Sequence, residues 1–294
     1  MASGTCGLNV GVKRDCIMSN VAQNLYRFMP NSPTHLAPAL DGKLWLSSAS
    51  SFNDPWDCTF QIHSTPRLSD YHRRECASYY ERQSSPALRS LFAPPQEPFS
   101  QLPGSNLASA SPWAEVIQDR LAAVAVACFC TDVRNHLLWS YYGRNHTGVC
   151  LRYELTYTRD GNPYPDVLVG PVRYSSHYPI IEVEEMLASR APIKQLQELL
   201  FTKHLSWAHE KEWRIIQLGR AGNAAYSTPP QLRLSEVIAG SRVSDSAFSA
   251  LGVEFAKIGI PVSKLQRSKY SYSLLSSGEM DLSGIFDPKY GRYL

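Results

Sequence analysis

The stretch "SWAHEKEWRII", Ser206–Ile216, opens like the end of a helix and closes like a strand. If the second half is a strand, side chains alternate between its faces. Glu210, Glu212 and Arg214 then share one face, and Lys211, Trp213 and Ile215 the other. Two carboxylates and a guanidinium in a row suit either a solvated sheet face or the wall of a cleft. Trp207 and Trp213 favour the cleft, because an exposed edge has little use for them.

Outward from this segment, strand and helix patterns mix. "EWRIIQL" continues the strand, and "RLSEVIAG" (Arg233–Gly240) and "IPVSKLQRS" (Ile260–Ser268) read as further strands. "SDSAFSALGVEFAKIG" between them reads as a helix capped by Ser or Asp. Upstream, "PIKQLQELLFTKHLSWAHE" predicts one amphipathic helix, with Leu196, Leu199, Leu200, Lys203 and Trp207 near one face. "VGPVRYS" (Val169–Ser175) is a strand, and "VAVACFCTD" (Val124–Asp132) is a buried one by its length and apolarity. "HLLWSYYGRNHTGVCLRYEL" (His136–Leu155) is a helix, a glycine turn and a strand. "NLYRFMP" begins the first strand at Asn24, and "THLAPALDGKLWLSS" is a short helix, a turn at Gly42 and a strand. There is no regular βαβ rhythm, so the fold class is α+β: mixed, mostly antiparallel sheets with flanking helices and a cleft between them.

Residues 1–23 read as a flexible leader, 24–275 as a single α+β domain, and 276–294 as a tail. Residues 66–85 suggest an exposed helix, and the Ser/Pro-rich stretch 86–112 a surface insertion.

The 294 residues suffice for a sizeable core, and 44% apolar with 19% charged is ordinary globular composition. A net charge of +3 implies no nucleic-acid or anionic-membrane partner by itself, although a local basic patch remains compatible with one. Seven scattered cysteines without a CxxC pair read as reduced thiols of a cytoplasmic protein. No apolar run of about 18 residues is present, so no membrane span is expected. Neither a Rossmann nor a P-loop fingerprint follows a strand.

Arg27, in "LYRF" between Tyr26 and Phe28, cannot lose its charge in an apolar strand and must meet an anion, a phosphate or a buried carboxylate. "LWLSSASSFNDPWD" places Ser47 and Ser48 at a strand end and Asn53, Asp54 and Asp57 in a turn, where such residues usually bond backbone. The turn lacks metal-ligand spacing. Tyr141, Tyr142, Arg144 and His146 sit in one turn, with no Ser-His-Asp order around them.

Three motifs stand together: N-D-P-W-D (Asn53–Asp57), W-S-Y-Y-G-x-N-H-x-G-V (Trp139–Val149) and W-x-x-E-K-E-W-R (Trp207–Arg214). With them the chain, from about Asn24 to Leu274, resembles a bacterial family numbered 2971 among the domains of unknown function. Relatives of that kind are linked to abortive infection, which implies toxin or phage-defence biology and an antitoxin or other defence-system partner. The insertion at 86–112 departs from the compact family pattern. The order of arginine, serine and E-x-E also resembles the R-S-E layout of ADP-ribosyltransferases, although "LSSAS" lacks their Ser-Thr-Ser triplet. That resemblance implies two small sheets enclosing NAD as substrate, without a metal. Arg27 would hold its phosphates, Ser47 or Ser48 the nicotinamide ribose, and Tyr26, Trp45 or Tyr142 would stack on nicotinamide. Glu212 would be the catalytic carboxylate and Glu210 would serve a macromolecular acceptor, protein or nucleic acid. The alternatives are a metal-dependent nuclease or phosphodiesterase built on Asp54, Asp57, His146 and Glu212, and a non-catalytic sensor.

Overall fold

The computed structural model describes residues 20–63, 121, 124–158, 166–182, 192–281, 286–287 and 292–293. The expected helix at 66–85, the insertion at 86–112 and nearly all of the expected leader lie outside these residues. The mixed, mostly antiparallel α+β character is as expected.

The first strand, β1, spans Asn20–Met29, so it begins before the expected Asn24. Helix α1, Pro33–Leu40, has proline in its first turn, where the missing N–H costs nothing. Strand β2, Lys43–Ser48, buries Leu44 and Leu46 and leaves Trp45 43% exposed, as period-2 alternation requires. Then come β3 (Gln61–His63), β4 (Val124–Cys130) and α2 (His136–Tyr141), the last capped by the Asn135 side chain. Strands β5 (Val149–Thr158), β6 (Val167–Pro171), β7 (Arg173–Ser175) and β8 (Ile180–Glu182) follow, so "VGPVRYS" is two strands broken at Val172.

The helix predicted through Glu210 ends early. Helix α3 is Pro192–Leu200. Thr202–His204 then forms β9, in parallel register with β7, and Leu205–Glu210 is a 3-10 helix. The Arg173 N–H bonds the Phe201 carbonyl at 2.7 Å, so pairing with β7 captures the chain as soon as α3 stops. Strand β10 is Glu212–Leu218, followed by β11 (Ala224–Ser227) and β12 (Leu232–Ala239). Helix α4, Asp245–Ala256, carries the expected Ser244 cap, whose hydroxyl accepts from Ala247 N–H. "IPVSKLQRS" divides into β13 (Val262–Lys264), parallel to β12, and β14 (Gln266–Arg267), which pairs with β15 (Leu274–Leu275). In the expected tail, β16 (Phe286–Asp287) pairs with β17 (Arg292–Tyr293).

Where two small sheets were expected, one nine-stranded sheet runs β11-β2-β4-β1-β5-β12-β13, with β10 joined to β4 and β6 to β10. One face packs on α1 and α4 through Leu25, Leu36, Leu151, Ile215, Leu251 and Phe255. The other packs on α3 through Val124, Val126, Leu199, Leu200, Ile216 and Leu218.

The cleft comes from a split within this sheet. Strand β10 pairs with one edge of β4 along its whole length. The other edge is shared: β2 holds Ala125 and Val126, and β1 holds Cys130. Between them, at Ala127–Phe129, β1 and β2 part. The neighbouring "YGRNHTG" turn is tightly wound. Arg144, Asn145 and His146 all have positive φ, a conformation costly for most side chains and less so for Asn and His. A Cβ on Gly148 would lie 2.4 Å from the Met29 carbonyl, so only glycine lets this turn close on the end of β1.

Candidate functional site

A cavity of about 300 Å³ opens at the split. Its lining includes Tyr26 and Arg27 from β1, Ser47 from β2, Asn53 and Asp57 from the following turn, Tyr142, Lys203, Glu210 and Glu212. The sequence-predicted Arg27, Tyr26, Ser47, Tyr142, Glu210 and Glu212 therefore meet in one cavity. Trp45 and Ser48 lie outside its lining. The Trp45 carbonyl accepts from Arg27 Nη1 at 2.6 Å, while Ser48 is buried, takes part in a hydroxyl contact with Ser50, and donates its N–H to Asn223.

The expected common strand face for Glu210, Glu212 and Arg214 is not what brings the two carboxylates together. Glu210 ends the 3-10 helix, and Lys211 (φ 46°) turns the chain through the left-handed region before β10 begins at Glu212. The carboxylates converge instead on Lys203, which was not foreseen. Its Nζ lies 2.6 Å from Glu210 Oε2, 3.0 Å from Glu212 Oε2 and 3.8 Å from Asp57 Oδ2. Its one signal in the sequence is an ammonium inside the apolar run "LLFTKHL", with no neighbouring counter-charge.

Behind Lys203 lies Arg214, with 0% exposure. Nε donates to Glu212 Oε1 at 2.6 Å, and Nη2 to Asp57 Oδ2 at 2.6 Å and Glu212 Oε2 at 3.3 Å. Nη1 donates to the Leu200 carbonyl and to Cys58 Sγ. All five guanidinium donors are used. Phe52 lies under the guanidinium, 5.3 Å from ring centroid to Cζ.

This packing explains the ionisation. Burial alone would raise the Glu212 pKa, but Arg214 and Lys203 outweigh it and hold the carboxyl at about 2. Burial would lower Lys203, yet Glu212 and Glu210 keep it raised. Burial pushes the Cys58 thiol up to about 12, so it stays neutral beside Arg214. The two glutamates differ in what they have left to offer. Glu212 accepts from Arg214 twice, from Lys203 and from the Cys128 thiol, which fills about four lone-pair sites. Among the described residues Glu210 accepts only from Lys203 and from Tyr142 Oη at 2.9 Å. Asn53 Nδ2 donates to Tyr142 Oη at 3.0 Å, which aims the phenol hydrogen at Glu210. Burial first, then Glu210, raises the Tyr142 pKa.

Arg27 contrasts with Arg214. Among the described residues no carboxylate pairs with it. Its guanidinium lies 5.9 Å from the Phe129 ring centroid and spends one donor on Trp45. Arg27 and the carboxylate cluster thus line the same cavity, Arg27 without a carboxylate partner among the described residues.

Residues 138–215 match DUF2971. That family is described as a protein of unknown function. The DUF2971 span carries Tyr142, Lys203, Glu210, Glu212 and Arg214, and supports the expected family resemblance there; Arg27, Ser47 and Asp57 fall before it. No curated protein and no solved structure matches the chain. The likeness to ADP-ribosyltransferases therefore rests on the site residues alone.

The residues of the metal-dependent alternative do not gather. His146 stacks on Trp139 at 5.9 Å, away from the cavity, with its pKa lowered by burial. Asp54 is buried, and its Oδ1 accepts from Trp56 N–H as the Asx-turn reading expected. Asn53, expected to bond backbone, bonds Tyr142 instead. Asp57 and Glu212 are both committed to Arg214. Among the described residues no group of three or more His, Cys, Asp or Glu could hold a metal ion. No helix there is long and apolar enough to cross a membrane.

Proposed function

We propose that the cavity binds NAD and cleaves the bond between nicotinamide and ribose, passing ADP-ribose to an acceptor or to water, in toxin or phage-defence biology. One observation carries this reading: Arg27, without a carboxylate partner among the described residues, shares a small cavity with two carboxylates that are ion-paired to buried cations. A guanidinium with free donors suits a pyrophosphate, which it can grip by two parallel hydrogen bonds. Ionised carboxylates suit the cation-like sugar that forms as nicotinamide leaves.

The carboxylates take different parts from those the resemblance implied. Glu210 has lone pairs for the ribose hydroxyls and the charge developing at C1′, whereas those of Glu212 are spent on Arg214, Lys203 and Cys128. Glu212 is a positioning residue that keeps Lys203 charged and in place. The C1′–N bond breaks with its electron pair leaving on nicotinamide. The acceptor, or water, bonds C1′ from the other side and gives up a proton. Tyr142 takes that proton as it passes its own to Glu210.

The test is nicotinamide release from NAD, with and without a cell lysate as acceptor and with a chelator present. Release that survives the chelator and disappears in Arg27→Ala is expected. A well-folded wild-type protein that releases no nicotinamide under any of these conditions rejects the reading.

A further inference from the structure

A second cavity of about 780 Å³ adjoins the first, and the two share Asn53 and Lys203 in their linings. Its walls are aromatic. Tyr141, at the end of α2, lies 6.3 Å from the His209 ring, and His209 lies 6.1 Å from Trp207. Lys203 Nζ sits 4.9 Å from the Trp207 ring centroid, so its charge also reaches this side. Trp56 and Tyr178 also line it, 63% and 40% exposed, and a bond from Gln61 N–H to the Pro179 carbonyl ties their two loops together. Large rings left open to water at a cavity are ready to stack on a flat ligand.

Charge narrows the choice. Among the described lining residues the only carboxylate is Asp54, buried and bonded to its own turn. The carboxylates at its junction with the first cavity, Glu210 and Glu212, are already paired with Lys203, so an arginine or lysine side chain of a protein acceptor would meet no unspent counter-charge along these walls. A nucleobase meets rings on which to stack, and the phosphates of its strand meet Lys203 and the ring nitrogens of the lining histidines. We propose that this second cavity is the acceptor subsite and that it takes an unpaired nucleobase of a single-stranded nucleic acid. The proposal rests on the NAD reading of the first cavity.

The position suits an acceptor better than the adenine half of NAD. The cavities meet at Asn53 and Lys203, the carboxylate end, whereas Arg27 lines the first cavity alone. With the pyrophosphate at Arg27 and the nicotinamide ribose at Glu210, the adenosine continues from Arg27, which does not line the second cavity. A base nitrogen at the junction stands beside Asn53, Tyr142 and Glu210. That nitrogen bonds C1′ as nicotinamide leaves, its proton passes to Tyr142 Oη, and the tyrosine proton passes to Glu210.

The experiment measures fluorescence anisotropy of labelled single-stranded DNA and RNA oligonucleotides, about 12 nucleotides long, on the full chain without NAD. Trp56→Ala and Tyr178→Ala should each weaken binding about 10-fold, the scale of one lost base–aromatic stack. Trp56→Phe should restore most of it. Tyr272→Ala, 99% exposed at a different cavity, should leave it unchanged. Melting curves check each fold. Three results overturn the proposal: no oligonucleotide binding by wild type, binding indifferent to both Trp56→Ala and Tyr178→Ala, or a matching loss of NAD affinity in Trp56→Ala, which would make the cavity the adenine site. Nicotinamide release from NAD alone is scored separately, so failure of the NAD reading is distinguishable from failure of the acceptor subsite.

Discussion

Glu210 and Glu212 are two residues apart and touch the same ammonium, yet removing their charges should have different consequences. Glu212 is the counter-charge of a fully buried guanidinium. Glu212→Gln puts an amide N–H where Arg214 and Lys203 both need an acceptor. Breaking a buried pair from one side typically costs about 3–5 kcal/mol, or on the order of 10 °C in Tm for a chain of this size. Glu210→Gln leaves Lys203 with Glu212 and Asp57, so the expected melting shift is less than half as large. Turnover should respond the other way round: Glu210→Gln should lose on the order of 100–1000-fold in nicotinamide release while still folded. Thermal melts beside that assay decide the matter. Equal melting losses in the two variants would refute the division of roles.

The junction between the 3-10 helix and β10 makes the two glutamates converge. Lys211 occupies it with φ 46°, a conformation that costs a side chain about 1–2 kcal/mol relative to glycine. Its ion pair with Asp132, 3.6 Å, is exposed and contributes little. Lys211→Gly should therefore raise the unfolding free energy by up to about 1 kcal/mol, offset in part by the extra freedom of an unfolded glycine, and leave nicotinamide release intact. Denaturant unfolding tests this, and a loss of stability would show that the left-handed turn is not the strained element. The same junction marks where the sequence stopped being readable. Strands β5, β10 and β12 and helix α4 were legible because alternation and a serine cap are local signals. The left-handed Lys211 was not, because no glycine announces it. Nor was β9, since three residues become a strand only through parallel pairing with β7, which is distant in sequence. The periodicity of this segment therefore places Lys203 on a helix face, and its pairing with both glutamates has no local signal.

At the scale of the whole molecule, that Arg27 and Glu212 line one cavity was legible from residue types and their order, while the split that creates the cavity was not. That split arises from β1 and β2 sharing one edge of β4, which no single segment encodes. Around it lie the buried ionisable side chains of Asp57, Lys203, Glu210, Glu212 and Arg214, and the shifts of Glu212 and Lys203 predict a pH window for stability. Glu212 has a folded pKa of about 2 against an ordinary 4.5. Because the value is depressed, its contribution is fully present above pH 4.5 and is lost as pH falls toward 2. The shift corresponds to about 3 kcal/mol. Lys203 is raised above its ordinary 10.5. Its contribution is therefore fully present below pH 10.5 and is lost as pH rises through the higher folded value. Stability should form a broad plateau with an acid limb between pH 4.5 and 2, and that limb should be the part most altered in Glu212→Gln. Urea unfolding across the acid range measures it. An acid limb of the same depth and position in wild type and Glu212→Gln would mean that other carboxylates carry the acid sensitivity, and that the Arg214–Glu212–Lys203 cluster does not hold the split sheet together.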